Sequence, residues 1–342
     1  MKPFVLATAV TVVCVLAAVG QTSTNADPEK AKFVTSDIDN FWRAFDMGQD
    51  VPDFEKRVAI YQAEYLDRGS VGLKDFIRLR IKDAKTLTTT VDNLSRFYAS
   101  THPSTKRIRE MEGAMRKSFR KFKKLYPEAV FPDVYFVIGI SNTGGTVSGN
   151  GLLVGAELYG LTPQTPRDEF VPWFKRMAGV TDDAAAHAAV NSLLASMLKP
   201  VEDIAPLVAH ESCHFNQKLA RGMTLLAKAL QEGPCDLVAE LAAGKTLNVI
   251  QKKYGDQHEA GLWAEFQKEM NGADYSRWMY NGRTAKDRPP DLGYYVGYKI
   301  AAAYYHSTKD KRRALRDILT IQDFPAFLER SRYAQKFASS SP

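Results

Sequence analysis

The sequence predicts an α+β fold that is predominantly α-helical, with a small antiparallel β-sheet or hairpin ahead of its most distinctive helix. Three observations carry this expectation. Apolar residues recur at three- and four-residue spacing over much of the chain. Two runs, Val134 to Ile140 and Leu152 to Leu158, are apolar and β-rich enough to read as clear strands. Finally, His210-Glu211-Ser212-Cys213-His214 suits a helical turn, because residues four apart stack on one helix face. With 342 residues, 45% of them hydrophobic, the chain can bury a sizeable core as one large domain or two modest ones.

Residues 1–20 read as a signal peptide. Lys2 gives a minimal positive start, Phe4 to Val19 is apolar, and Ala18-Val19-Gly20 places small residues before Gln21. The run is short and threonine-marked for a membrane anchor, and Cys14 lacks the small residue before it that a lipoprotein cleavage site needs. The expectation is an exported protein, periplasmic or secreted, with no stable membrane anchor after cleavage. Residues 21–32 then form a flexible mature N-terminus and 33–130 an N-terminal helical region. Ser36 can cap a helix bearing Phe41, Trp42 and Phe45, and further helical runs cover Phe54 to Tyr65, Leu73 to Lys85 and Val91 to Ser100. After His102-Pro103, apolar Ile108, Met111, Met115, Phe119, Phe122 and Tyr126 mark a long amphipathic helix.

That helix carries the charge: residues 105–124 hold nine Lys or Arg against two Glu, a net +7 equal to that of the whole chain. A solvated face that confers solubility is the plain reading. The rival is a non-catalytic envelope binding module with a structural metal, taking anionic polymer or lipid through Lys117, Arg120, Lys121 and Lys124. Nucleic acid is not an expected partner outside the cell.

Residues 131–336 contain the chemistry. The two β-rich runs are joined by the glycine-rich stretch from Ser141 to Gly151, which lacks a Gly-Lys-Ser/Thr ending and leads into a strand, so it is no phosphate cradle. The motif helix should start at Asp203 as N-cap, carry Pro206 in its first turn, bury Ile204, Leu207, Val208 and Phe215, and stop at Gly222. On it, the imidazoles of His210 and His214 can reach one metal ion, with Glu211 placed to take a proton from a metal-bound water. A catalytic zinc wants three protein ligands and leaves a fourth position for water, so a third must come from elsewhere. Leu230-Gln231-Glu232-Gly233-Pro234-Cys235-Asp236 offers one.

Here the chain resembles the gluzincin metallopeptidases, in which HExxH is followed about twenty residues later by a ligand Glu, often followed by Gly, on a second helix. The resemblance implies Glu232 as third zinc ligand and Asp236 as the acid that holds His210 or His214 by its second nitrogen. Glu240 is an alternative third ligand, weighed against an ordinary solvated glutamate. Asp291-Leu292-Gly293-Tyr294-Tyr295-Val296-Gly297-Tyr298 resembles the Tyr-x-x-Gly element of the aminopeptidase branch, which implies Tyr294 as oxyanion donor, with Tyr295 and Tyr298 in reserve. A gluzincin-like zincin fold follows, in which the second β-rich run would pair with extended substrate.

Over nearly the whole mature chain the sequence is also similar to a family of predicted zinc-dependent proteases of unknown function, exported bacterial proteins related to gliding-motility lipoproteins. The similarity runs through Asp37-Ile38-Asp39-Asn40-Phe41-Trp42, the glycine-rich stretch, HExxH, the Glu-Gly segment and the Gly-Tyr-Tyr-Val-Gly-Tyr helix. It implies a zinc metallopeptidase acting on a peptide or protein substrate.

Cys213 lies three residues past His210, and Cys235 three past Glu232, so each shares a helix face with a candidate ligand. If both helices meet at one zinc, the two can form a disulfide in an oxidising compartment; the other reading is two buried free thiols. Further on, Ala260 to Met270 and Asp274 to Tyr280 read as helices, and the basic loop from Gly282 to Pro290 offers Arg283 or Arg288 to a substrate carboxylate. Residues 337–342 read as a frayed tail. His102, His187, His258 and His306 have no ligand spacing and read as surface or satisfied core residues.

Overall fold

The structure is a computed structural model that describes residues 24–338 except 161, 163, 198, 283 and 286. The expected signal peptide and the last four residues lie outside the described residues. In chain order the strands are β1 (Thr24–Asn25), β2 (Phe33–Val34), β3 (Phe131–Pro132), β4 (Val134–Val137), β5 (Gly145–Ser148) and β6 (Gly151–Gly155). The helices are α1 (Ser36–Gly48), α2 (Phe54–Tyr61), α3 (Val71–Phe76), α4 (Ala84–Asn93), α5 (Ser95–Lys106), α6 (Glu112–Leu125), α7 (Phe170–Ala178) and α8 (Asp183–Met197). They continue with α9 (Ile204–Asn216), α10 (Leu225–Ala243), α11 (Val249–Glu269), α12 (Leu292–Ser307), α13 (Lys311–Leu319), α14 (Phe324–Ser331) and α15 (Gln335–Ala338). Among the described residues none of these is long and apolar enough to cross a membrane.

Two compact units interleave along the chain. The first takes residues 33–109 and 134–201; the second takes the described residues of 23–32, 110–133 and 202–342.

In the first unit the sheet runs β2-β4-β6-β5. This corrects the expected antiparallel hairpin: β4 pairs with β6 in parallel, Val134 beside Leu152 through Val137 beside Gly155. A parallel pair needs a crossover, and the glycine-rich connection supplies one by forming β5, which turns back antiparallel onto β6 and takes the sheet edge. β4 stops at Val137 because side chains take over the backbone that follows. The Tyr65 hydroxyl donates to the Ile138 carbonyl at 2.7 Å and accepts from its amide at 2.9 Å, while Glu157 accepts from the Gly139 and Ser141 amides, each at 2.9 Å. Both β4 and β6 are buried along their whole length, which explains their uninterrupted apolar sequence.

The helices from α3 to α6 depart from the periodic reading where the backbone has a reason to. The run from Leu73 breaks at Lys82, whose φ of 82° ends one helix, and Asp83 caps the next by accepting from the Thr86 amide at 2.7 Å. Pro103 sits inside α5, and a 3-10 turn over Arg107–Met111 precedes α6, so the expected long helix begins only at Glu112.

In the second unit α6 turns buried Met115, Phe119 and Phe122 inward and packs on α9 and α10. Its basic side is partly neutralised. Arg116 donates to the carbonyls of Pro28 and Ala31, and Arg120 makes a two-pronged bond to Glu29. These bonds, with the β1–β3 ladder and a 2.8 Å bond from the Lys32 amide to Asp133, hold the stretch expected to be a flexible N-terminus. α9 ends at Asn216 rather than at Gly222, because Gln217 is extended and the Lys218 and Ala220 amides bond to the Leu319 and Ile321 carbonyls. Asp203 precedes that helix without capping it; its carboxylate pairs instead with Lys245. The segment Asp274 to Tyr280, expected as helix, is a series of turns in which Asp274 accepts from the Ser276 amide and Tyr280 takes a φ of 56°.

Candidate metal centre

Two buried helices of the second unit bring the candidate ligands together. α9 carries His210, Glu211 and His214, and α10, capped at its start by Thr224 and at its end by left-handed Gly244, carries Glu232 and Asp236. α10 packs most extensively on α12, and the reason is legible in its glycines. A Cβ on Gly233 would collide with the backbone of Gly297 and Tyr298, and one on Gly297 with the Ala229 carbonyl. Backbone-to-backbone approach at this crossing brings α12 against α10, and Tyr294 on α12 comes beside His210. The Cys213–Cys235 disulfide ties α9 to α10, with Cα atoms 5.3 Å apart.

His210, His214 and Glu232 form a group whose ligand atoms all lie within 4.8 Å of one another, each buried. The two Nε2 atoms are 3.3 Å apart, and Glu232 Oε2 lies 3.3 Å from His214 Nε2 and 3.8 Å from His210 Nε2. From behind, His210 Nδ1 donates to Asp236 Oδ1 at 2.9 Å, and Asp236 Oδ2 accepts from Asn248 at 2.8 Å. His214 Nδ1 donates to Gln217 Oε1 at 2.9 Å, and the Gln217 amide nitrogen is fixed by its bond to the Gln231 carbonyl at 2.6 Å. Both rings therefore spend their Nδ1 hydrogens on acceptors and turn Nε2 toward the carboxylate.

This arrangement fits a divalent cation. Two imidazole lone pairs and a carboxylate oxygen that makes no hydrogen bond converge in a buried space, where only protons or a cation can reconcile them. Without a cation, the carboxylates make both rings hold protons more strongly than a free imidazole. Burial opposes charge on His210, but the Asp236 and Glu232 carboxylates more than offset it and raise the ring to about 10. Burial likewise opposes charge on His214, and Glu232 again raises it, while Glu232, against its own burial, is held far below the ordinary carboxylate range by the two histidines. A two-nitrogen, one-oxygen donor set is one that zinc takes at catalytic sites.

Glu211 is buried beside this group and helps raise both imidazoles. The Tyr294 ring stacks near His210, 6.4 Å between centroids at 20°. The reserves are engaged elsewhere: Tyr295 donates to Asp256, and Tyr298 to Glu240, each at 3.1 Å. That bond also accounts for Glu240, which lies outside the ligand group. Arg288 stacks on Trp278 and pairs with Glu265; Arg283 is outside the described residues.

Three neighbours have no counterpart in the sequence reading. Gln217 lies one turn past His214, a spacing that could have flagged it. Asn248 and Tyr280, whose hydroxyl donates to Glu232 Oε1 at 3.1 Å, carry no spacing signal.

Residues 173–318 match the model of a family described as a predicted Zn-dependent protease. The matched stretch includes His210, Glu211, His214, Glu232, Asp236 and Tyr294. No curated protein and no solved structure matches the chain. The family description suggests a zinc-dependent hydrolase of peptides, and the buried donor group is one that could hold the metal.

Proposed function

We propose that the chain is an exported zinc metallopeptidase of gluzincin type, with His210, His214 and Glu232 as metal ligands. The observation that carries this reading is the convergence of both Nε2 atoms and Glu232 Oε2 in a buried cluster, with both Nδ1 atoms already committed behind them. The disulfide between the ligand helices agrees with an oxidising compartment, periplasmic or secreted.

Zinc bound there would polarise the scissile carbonyl and acidify a water. The chain's own residues do the rest. The Glu211 carboxylate takes the proton from that water and passes it to the leaving amine nitrogen. The Tyr294 hydroxyl donates to the oxygen on which charge develops. Asp236 and Gln217 keep the Nδ1 hydrogens of His210 and His214 in place, so that each ring keeps one tautomer throughout.

Glu211→Gln separates chemistry from metal binding. Incubated with a peptide library, the variant is expected to lose hydrolysis while holding one zinc per chain; full activity in Glu211→Gln would refute the general-base role.

A further inference from the structure

We propose that Tyr280 is a positioning residue of this site, whose hydroxyl fixes Glu232 so that Oε2 alone is presented to the metal. The inference rests on the metal reading above and goes one step behind the ligands.

A carboxylate can bind a cation through one oxygen or both, and the choice decides whether a position stays open for water. In this chain the two oxygens of Glu232 have different company. Oε1 accepts from Tyr280 at 3.1 Å, whereas Oε2 makes no hydrogen bond and faces both imidazole nitrogens. A hydroxyl donor on Oε1 draws on its lone pairs and resists rotation of the carboxylate, and both effects favour single-oxygen binding through Oε2.

The backbone supports a role for this tyrosine. Its φ of 56° lies in the left-handed region, which strains a bulky non-glycine residue and persists only where its surroundings hold it. Those surroundings are a closed set of bonds at the next residue. The Asn281 amide donates to Asp291 Oδ1 at 3.2 Å, the Asp291 amide donates to Asn281 Oδ1 at 2.8 Å, and Asn281 Nδ2 donates to the Arg277 carbonyl at 2.9 Å. The Gly293 amide completes the turn by donating to the Trp278 carbonyl at 2.8 Å. The Tyr280 ring stands edge-on to Tyr275 and Tyr294, at 83° and 89°. The two tyrosines thus divide the site, Tyr280 bonded to the carboxylate ligand and Tyr294 stacked against an imidazole ligand.

Cobalt(II) substitution reads this directly, because its visible absorption weakens as coordination rises from four to five. Wild type loaded with cobalt is expected to show the stronger four-coordinate bands. Tyr280→Phe should shift to weaker five-coordinate bands as Glu232 gains its second oxygen, and should bind zinc about 10-fold or more weakly. Tyr294→Phe should leave the spectrum as in wild type. The proposal is overturned if Tyr280→Phe keeps the wild-type spectrum, or if Tyr294→Phe produces the shift instead. Asn281→Ala, which loosens the turn without touching the cluster, should move the spectrum the same way; where Tyr280→Phe proves insoluble, an unchanged Asn281→Ala spectrum overturns the proposal. Failure of wild type to take up cobalt or zinc sinks the metal reading itself, whereas normal uptake with an unmoved spectrum sinks only the role of Tyr280.

Discussion

His210 and His214 are held by acceptors of different kinds, a carboxylate behind one and a carboxamide behind the other. The charged acceptor raises ligand basicity more, so Asp236→Ala is expected to weaken zinc binding about 10- to 100-fold, and Gln217→Ala by less. Competition with a chromophoric chelator measures both, and equal effects would contradict the ranking. A second buried carboxylate shows what isolation from cations does. Glu157, in the first unit, is pushed up to about 7 by burial, although the Gly139 and Ser141 amides pull the other way. Its folded-state value lies above the unfolded one of about 4.5, so the folded chain binds the extra proton between pH 4.5 and 7. Its contribution to stability is therefore intact below that window and falls as pH rises through it, by on the order of 3 kcal/mol in total. Urea denaturation of Glu157→Gln beside wild type should show wild type losing ground to the variant as pH rises from 5 to 7. A constant difference would show that Glu157 does not titrate in that range.

Among the elements, α9 and α10 are legible because they carry a pattern: two histidines one turn apart, and a glutamate followed by a glycine that α12 requires for close approach. Cys213 and Cys235, each three residues past a candidate ligand, left a bridge and two free thiols equally open in the sequence, and the structure joins them. Closing a loop of 22 residues, the disulfide should stabilise by about 3 kcal/mol through the unfolded state. The Cys213→Ser, Cys235→Ser double variant is thus expected to show a lowered urea midpoint, and an unchanged midpoint would mean the bridge adds nothing. β5 was not legible, since Gly145-Thr146-Val147-Ser148 is short, small and nearly free of apolar residues, and its strand character comes from pairing with β6. Tyr280 was hidden for a related reason: it sits in a turn 48 residues from Glu232, and what delivers it is a backbone conformation with no periodicity.

At the scale of the whole molecule, the basic helix illustrates how one segment serves two ends. α6 looks like a charged surface from its composition, yet its apolar side supports α9 and α10, and Arg116 and Arg120 secure residues 28–31. Every candidate ligand, its supporting side chain and Tyr280 lie in the second unit, which gathers residues from both sides of the first in sequence. Composition could not reveal that interleaving, because nothing in residues 110–133 marks them as belonging with the motif helices. The central claim is that three residues of this unit hold one metal ion. Metal analysis of purified wild type beside Glu232→Ala tests it most directly: the account predicts one zinc per chain in wild type and a loss of it in the variant, and an unchanged zinc content in Glu232→Ala would contradict it.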